Sequence, residues 1–439
     1  MTKDDVLKTV GENGVEIIRL WFPDILGHLK GFVIPRNELD GALDHGVGFD
    51  GSSIEGFARI HESDLMAVPD PNTFVILPEQ IDNGRAAAMF CDLLTTDGHP
   101  YPGDPRWVLK RNLENMAKQG MVFYVGPEIE YFYFKTDKSP EILDRSGYFD
   151  SSIIDTGASL RKQSISVLGK MGILCEAAHH EVAPSQHEID MRYTDALRMA
   201  DFVMTYRLVI KELARKSGVY ASFMPKPMFG QNGSGMHTHQ SIFQGKKNLF
   251  FNQDDNYYLS DFARHYMAGI LHHIREITAI LNQSVNSYKR LVAGYEAPVY
   301  ISWGQKNRSA LVRVPRYRQG HENATRIELR SPDPVTNPYL AFSVMLAAGM
   351  KGVQEKYPLP APVEENIYEL SPATRGDLHM EVLPGNLYEA ILETEKSKLV
   401  KDTLGDHLFN KFIDNKKIEW DHYRIQVTDY ELDRYFPIF

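Results

Sequence analysis

Beyond Val15 apolar residues crowd into a β-prone run, Ile17-Ile18-Arg19-Leu20-Trp21-Phe22, break at Pro23-Asp24 and Gly27, and resume at Gly31-Phe32-Val33-Ile34. Two such runs around a turn predict a hairpin. Thr73-Phe74-Val75-Ile76-Leu77 and Ala87-Ala88-Met89-Phe90 predict further strands, and a stretch rich in Gly, Ser and Asp runs from Gly46 to Gly56. The period changes after the turn-rich segment Asp97–Gly103. Pro105 at a first helical turn, followed by Leu109, Leu113 and Met116, predicts a helix. Leu271–Leu281 and Pro338–Val353 predict two more, and strands and helices mix to the end. A chain of 439 residues exceeds one hydrophobic core. The pattern therefore predicts an α+β protein: a small β-rich unit over residues 1–103 and a larger α+β unit over residues 104–439.

Within the second unit the charged residues fall at every second position of short runs, and alternate residues of a strand share a face. Glu128 and Glu130 in Gly126-Pro127-Glu128-Ile129-Glu130-Tyr131 point the same way, which is costly in a cavity unless a cation sits between them; a solvated edge strand carries the same pattern. His179-His180-Glu181-Val182-Ala183-Pro184-Ser185-Gln186-His187-Glu188 holds two acids and three imidazoles, ligands for Mn²⁺- or Mg²⁺-type ions, or a polar turn. No H-E-x-x-H spacing occurs, which disfavours a zinc protease. In Asn232-Gly233-Ser234-Gly235-Met236-His237-Thr238-His239-Gln240-Ser241 the glycines allow close backbone approach and His237, His239 and Ser241 share a face. Neither a Walker A loop nor a dinucleotide fingerprint is present. Arg326-Ile327-Glu328-Leu329-Arg330 sets Arg, Glu and Arg on one face, as a cleft lining or a structural ladder. Acids that collect cations, beside guanidinium groups that collect phosphate and carboxylate oxygens, suit phosphoryl transfer.

Composition narrows the partners. A 43% apolar and 24% charged chain is ordinary globular protein, and a formal charge of -10 argues against a nucleic-acid partner. Cys91 and Cys175 form no C-x-x-C pair. The polar start Met1-Thr2-Lys3-Asp4-Asp5 has no apolar segment behind it, and no run is long enough for a bilayer, so a cytoplasmic protein with no membrane partner is expected.

Phe49-Asp50-Gly51-Ser52-Ser53, Gly126-Pro127-Glu128-Ile129-Glu130, His179-His180-Glu181-Val182-Ala183, Lys226-Pro227-Met228-Phe229-Gly230 through Asn232-Gly233-Ser234-Gly235-Met236-His237, Asn286-Ser287-Tyr288-Lys289-Arg290-Leu291, Gly294-Tyr295-Glu296-Ala297-Pro298, Asn307-Arg308-Ser309 and Arg326–Arg330 together resemble the glutamine synthetase family of the prokaryotic class I type, in order and along essentially the whole chain. The resemblance implies an N-terminal β-grasp domain and a C-terminal creatine-kinase-like catalytic domain with an antiparallel, barrel-like active site. It implies a dodecamer of two hexameric rings with each site shared between neighbours, and ATP-dependent joining of ammonium to glutamate through γ-glutamyl phosphate. Glu130, Glu181 and Glu188 resemble the ligands of one Mg²⁺ or Mn²⁺, and Glu128, His237 and Glu328 those of a second. Asn232, Gly233, Arg290, Glu296 and Arg330 would hold glutamate. Glu176, His239, Ser241, Arg308, Arg313 and Arg326 would hold ATP. Asp50, Ser53, Tyr148, Glu181 and Glu296 would form the ammonium pocket, with Asp50, Glu296 and Arg308 catalytic and Glu296 on a flap.

Ala293 stands where the family usually shows Pro, and Asn323 where some members offer Lys to the nucleotide. Asn366-Ile367-Tyr368-Glu369-Leu370 lies where one subclass is adenylylated; its surroundings fit that subclass poorly, so Tyr368 is expected unmodified. Phe57-Ala58-Arg59-Ile60 resembles the subclass with glutamine feedback through an arginine, though Arg59 pairing with Glu62 reads equally well. Arg19 and Arg85 are candidates for an anionic effector, and the family leaves room for small nitrogen-regulatory proteins as partners. A γ-glutamyl-amine or polyamine ligase and an inactive structural homologue are the other readings; the presence of Asp50, Tyr148 and Glu296 favours ammonia over a larger amine.

Overall fold

The computed structural model describes residues 1–56, 64–82, 85–365, 367–369 and 380–439. The predicted hairpin is β1 (Ile17–Pro23) against β2 (Leu29–Pro35), antiparallel, with Ile18 opposite Ile34 and Trp21 opposite Gly31. β3 (Val47–Asp50), β4 (Asp64–Pro69), the short β5 (Val75–Ile76) and the long β6 (Ala86–Thr95) complete a six-stranded sheet. Its order is β2-β1-β6-β4-β3, with β5 on β6. β1 and β6 run parallel and the other pairs antiparallel. Val6 and Val10 of the helix Lys3–Glu12 pack with Ile18, Leu20, Leu65, Met89 and Leu93 into a core of their own.

At Asp104 the chain turns helical for a legible reason. The Asp104 carboxylate accepts from the Arg106 N–H at 2.8 Å and Pro105 occupies the first turn, so Pro105–Ala117 starts capped. The long helices Asp261–Leu281 and Pro338–Glu355 pack on each other where glycines permit it: a Cβ on Gly269 would stand 2.2 Å from the Ala348 carbonyl oxygen, and one on Gly349 2.1 Å from the Tyr266 ring. Asp261–Leu281 begins ten residues ahead of the predicted apolar stretch because the Ser260 hydroxyl caps it, accepting from Ala263 N–H.

These helices back a ten-stranded sheet built from β7 (Met121–Phe134), β8 (Cys175–His180), β9 (Gln186–Met191), β10 (Thr194–Asp195), β11 (Tyr220–Ser222), β12 (Met236–Gln244), β13 (Lys247–Asn248), β14 (Trp303–Gly304), β15 (Val312–Arg313) and β16 (Ile327–Leu329). The order is β14-β15-β16-β12-β7-β9-β8, with β10 and β11 on β7 and β13 on β12; only β14–β15 is parallel. The apolar partners of the alternating runs, Ile129, Ile189, Ile327 and Leu329, are fully buried in the main core. Their charged neighbours are thereby forced onto the opposite face. No helix among the described residues is long and apolar enough to cross a membrane.

Candidate active site

Strand register assembles the site. Glu128 of β7 stands opposite His237 of β12, Glu130 opposite Glu188 of β9, and His239 of β12 opposite Glu328 of β16. Glu181 joins from the turn between β8 and β9, where its N–H donates to the Gln186 carbonyl at 2.8 Å. Two sets form, Glu130 with Glu181 and Glu188, and Glu128 with His237 and Glu328; in each, one ligand atom per residue lies within 4.8 Å of the others. All six line a cavity of about 260 Å³, together with Tyr148, Asn232, Gly233, Arg290, Glu296, Arg308, Arg313 and Arg330.

Negative charge dominates the first set. Glu130 and Glu188 are 8% and 6% exposed, and neither meets a Lys or Arg within 4 Å among the described residues. Burial, then the charge of Glu181, pushes the Glu130 carboxyl up to about 8; burial and the charges of Asp190 and Glu130 push Glu188 well above the carboxylate range. Glu130 Oε2 accepts from Gly235 N–H at 2.8 Å and from Gln186 Nε2 at 3.0 Å, bonds that orient it without neutralising it. A pocket of mutually repelling carboxylate oxygens fits a hard divalent cation. The second set is better compensated. Glu328 accepts from Arg313 at 2.8 Å and Arg330 at 2.5 Å; burial opposes its ionisation, but Arg330, His239 and His237 outweigh burial and hold it at about 2. Glu128 is likewise held below the usual range by His239, 2.7 Å away, and His237, against its burial.

The cationic wall keeps donors in reserve. Arg330 Nε is buried with no partner, and an unmet guanidinium donor is a place for a ligand oxygen. Arg290, 2% exposed, spends Nη1 and Nη2 on the carbonyls of Ser331 (2.7 Å) and Arg330 (3.0 Å), which fixes its plane against the cavity. Asn232 Nδ2 donates to Glu296 Oε2 at 3.2 Å. Glu296 sits at φ 56° two residues after Gly294 at 94°, in an exposed loop, and Lys226 Nζ lies 3.7 Å above the Tyr295 ring. Tyr148 shares the Arg308 side, beside Glu181, and burial followed by that carboxylate raises its phenol.

A second cavity, about 220 Å³, is lined by Glu176, His239, Ser241, Asn323 and Arg326, four of which are expected nucleotide contacts. Glu128 and Asp190 line both cavities. Arg326 Nε donates to His239 Nδ1 at 3.1 Å. The Arg-Glu-Arg run thus serves two compartments, Arg326 in the second and Glu328 with Arg330 in the first.

Asp50 is not among the residues lining either cavity; it is exposed at the end of β3, where its carboxylate caps the turn Gly51–Ser53 by accepting from Ser52 N–H at 2.9 Å. Arg19 pairs with Asp82, and Arg85 with Glu16 at 2.8 Å, so both guanidinium groups already meet carboxylates. Arg59 lies outside the described residues. Tyr368 is half-buried with its hydroxyl donating to the Ala297 carbonyl next to Glu296, and burial pushes it up to about 12. Two cavity residues escaped the sequence reading. Asp190 follows Glu188 at the same alternate spacing on β9, a signal lost by ending the run at Glu188. His179, whose Nε2 lies 2.8 Å from Glu181 Oε1, was in view but had no feature separating it from its neighbours.

Residues 14–96 match the family described as glutamine synthetase, beta-Grasp domain, and residues 102–435 match glutamine synthetase, catalytic domain. The chain is 49% identical to the glutamine synthetase of Mycolicibacterium smegmatis, covering 99% of each, and 49% identical to that of Methanosarcina mazei, covering 100% of this chain and 98% of the relative. It is 47% identical to that of Staphylococcus aureus over 99% of this chain and 98% of the relative. Among solved structures, one titled "GmaS/ADP complex-Conformation 1" superposes with a TM-score of 0.90 at 29% identity, and Plasmodium falciparum glutamine synthetase with 0.88 at 25%; each covers 99% of both chains. The chain belongs to the glutamine synthetase family.

Proposed function

We propose that this chain joins ammonium to the side-chain carboxylate of L-glutamate, converting ATP to ADP and phosphate through a γ-glutamyl phosphate. The observation that carries the reading is one cavity in which two acid-rich ligand sets face four arginines, one of them, Arg330, with its Nε unpartnered. A carboxylate is a poor acyl donor because oxide leaves badly; phosphorylation supplies a stable leaving group. ATP lies in the second cavity against Glu176, His239, Ser241 and Arg326, its phosphates directed past Glu128 toward the first. Glu130, Glu181 and Glu188, and Glu128, His237 and Glu328, would each hold a divalent cation such as Mg²⁺ or Mn²⁺, which would supply Lewis-acid stabilisation of developing negative charge. Arg330, Arg290, Asn232 and Gly233 orient glutamate, so that its side-chain carboxylate meets the terminal phosphoryl group. Arg308 and Arg313 offset the charge that builds as two anions approach. Tyr148, Glu181 and Glu296 attract ammonium, and Glu296 with its loop closes over the acyl phosphate to exclude water. Asp50 accepts the ammonium proton, leaving ammonia as the nucleophile.

The exposed position of Asp50, away from its own chain's cavity, supports a site completed by a neighbouring copy, with Asp50 and Ser53 reaching across in a cytoplasmic dodecamer. The two units are divided at residues 103 and 104. The test is glutamine formation from glutamate, ATP and Mg²⁺ or Mn²⁺ with ammonium, beside ethylamine and putrescine. Saturable glutamine and stoichiometric phosphate with ammonium are expected. A preference for either amine, or no phosphate release, overturns the proposal.

A further inference from the structure

Behind the turn that presents Glu181 lies a buried knot that the proposed reaction does not use. Asp144, His180 and His187 bring ligand-type atoms within 4.8 Å of one another. A cation is not what this set is built for. Asp144 and His180 spend their atoms on each other, Nε2 to Oδ1 at 2.9 Å, and Arg161 Nη1 stands 2.7 Å from His187 Nδ1, placing a fixed positive charge where an ion would be repelled. What the knot does is join two segments. Asp144 Oδ1 also accepts from the N–H groups of Ser146 and Ser185, each at 3.3 Å, and Oδ2 from Thr156 Oγ1 at 3.1 Å. Ser185 Oγ returns the contact, accepting from the N–H groups of Leu143 at 2.7 Å and Asp144 at 3.0 Å. His180 Nδ1 lies 2.7 Å from the Glu181 carbonyl oxygen, and the His180 carbonyl accepts from Phe149 N–H at 3.1 Å.

The joined segments carry working residues: Glu181 on one and Tyr148 on the other. Each also carries a non-glycine residue in the left-handed region, Ser185 at φ 63° and Phe149 at φ 60°. Such conformations are strained for residues other than glycine and persist only where surrounding bonds over-determine them. The bonds that do so here come from the Asp144 carboxylate, which takes the Ser185 N–H, and from His180, which that carboxylate holds and whose carbonyl takes the Phe149 N–H. We infer that Asp144 is a positioning residue for the proposed reaction: it locks the turn 181–185 to the segment 143–149, and so sets the affinity of the Glu130–Glu181–Glu188 cation site and the fit of the ammonium pocket. The inference rests on the proposed roles of Glu181 and Tyr148.

An amide cannot replace this carboxylate. Three donors converge on Oδ1 while Oδ2 takes a fourth, so an asparagine either turns its NH₂ toward donors or leaves the His180 bond without its ionic partner. The decisive measurement is free Mn²⁺, followed by its electron paramagnetic resonance signal as the metal is titrated into full-length, metal-stripped Asp144→Asn. Positioning partners of metal ligands are worth about 10–100-fold in affinity. One Mn²⁺ per subunit is expected to bind weaker by about that factor, with the other within twofold of wild type. Ser185→Ala, which removes only the returning hydroxyl, should move the same site in the same direction by a smaller factor, and decides the matter alone should Asp144→Asn not fold. In steady state, KM for ammonium should rise about tenfold while KM for ATP holds within twofold. Unchanged binding of both ions with a lowered melting temperature, or equal weakening of both, reduces Asp144 to a structural role and overturns the inference. If wild type binds two Mn²⁺ yet makes no glutamine, the proposed function fails, while the Mn²⁺ titration still reports on Asp144.

Discussion

Two clusters of buried charge can be set side by side. At the junction of the two sheets, Arg106, 1% exposed, donates to Asp70 at 2.8 Å, to Asp92 and to Asp201 at 3.1 Å; Lys110 meets Asp92 at 2.5 Å, and Tyr339 donates to Asp201 at 2.6 Å. The acids come from the ends of β4, from β6 and from the helix Ala196–Lys216, so the knot fastens the first sheet to the helices behind the second. Burial still raises Asp201, but every carboxylate touches a cation supplied by the chain. In the active-site cavity Glu130, Glu181 and Glu188 are held together with only histidine as a cationic partner within 4 Å among the described residues. Buried charge balanced from within is architecture, whereas buried charge left unbalanced awaits something from outside, and the energetics of substitution should differ in sign.

The largest expected effect lies in the unbalanced cluster. Glu188→Gln should lower glutamine formation by roughly a thousandfold, the several kcal/mol that a Lewis-acid site contributes to a phosphoryl-transfer barrier. In excess chelator its melting temperature should equal or exceed wild type, because the charge removed is one that burial and its neighbours already oppose. A clear fall in that melting temperature would place Glu188 with the architectural acids. Arg106→Gln is the mirror case. Leaving three carboxylates without their guanidinium should cost about 3–5 kcal/mol, read as a shift of the urea midpoint. The fraction that remains folded should keep most of its turnover per site.

Cation binding sharpens the contrast at a smaller scale. Mn²⁺ at about a hundred times its dissociation constant should stabilise the native protein by about 2.7 kcal/mol per site through mass action. Wild type and Arg106→Gln should show the full rise in melting temperature over their chelated forms, and Glu188→Gln only part of it. Equal increments in all three proteins would separate cation binding from this cavity.

The same contrast explains what could be read before any coordinates. Glu128 and Glu130 were legible because a strand sends alternate residues to one face and the intervening Ile129 declares which face is core, and His237 with His239 and Ser241 through the same alternation after a glycine-rich turn. Pro105 after Asp104 marked a helix start because both act locally. The Arg106 knot gave no such signal. Its partners lie 14 to 95 residues away, and nothing near Arg106 separates it from a surface arginine. Ser185 and Phe149 hold left-handed conformations with no glycine to announce them, since the bonds that enforce them come from Asp144 and His180 across the fold. Asp50 was assigned a role only by resemblance, and the structure places it exposed and outside both cavities.

The smallest effect tests whether the rule extends to a third buried acid. Glu55 follows the Asp50 turn and accepts from Tyr101 at 2.5 Å, lies 2.9 Å from His407 Nε2 and forms an ion pair with Lys411 at 3.0 Å, while its carbonyl accepts from Asn415 at 2.9 Å. Burial raises such a carboxyl, yet His407, Tyr101 and Lys411 outweigh burial and hold Glu55 at about 2. A carboxyl depressed from 4.5 to about 2 stabilises the fold fully above 4.5, and that contribution disappears as pH falls through 4.5 toward 2. Glu55→Gln should therefore melt below wild type at pH 6 by the equivalent of about 1 kcal/mol, the worth of a charge-assisted hydrogen bond discounted for partial solvent. The gap should narrow as pH falls below 4.5 and close only near pH 2. A gap that stays constant with pH would mean that packing, rather than ionisation, fastens this turn to the C-terminal helix Asp406–Arg424. Glu55 would then leave the balanced class, and internal pairing would no longer suffice to tell an architectural acid from a functional one.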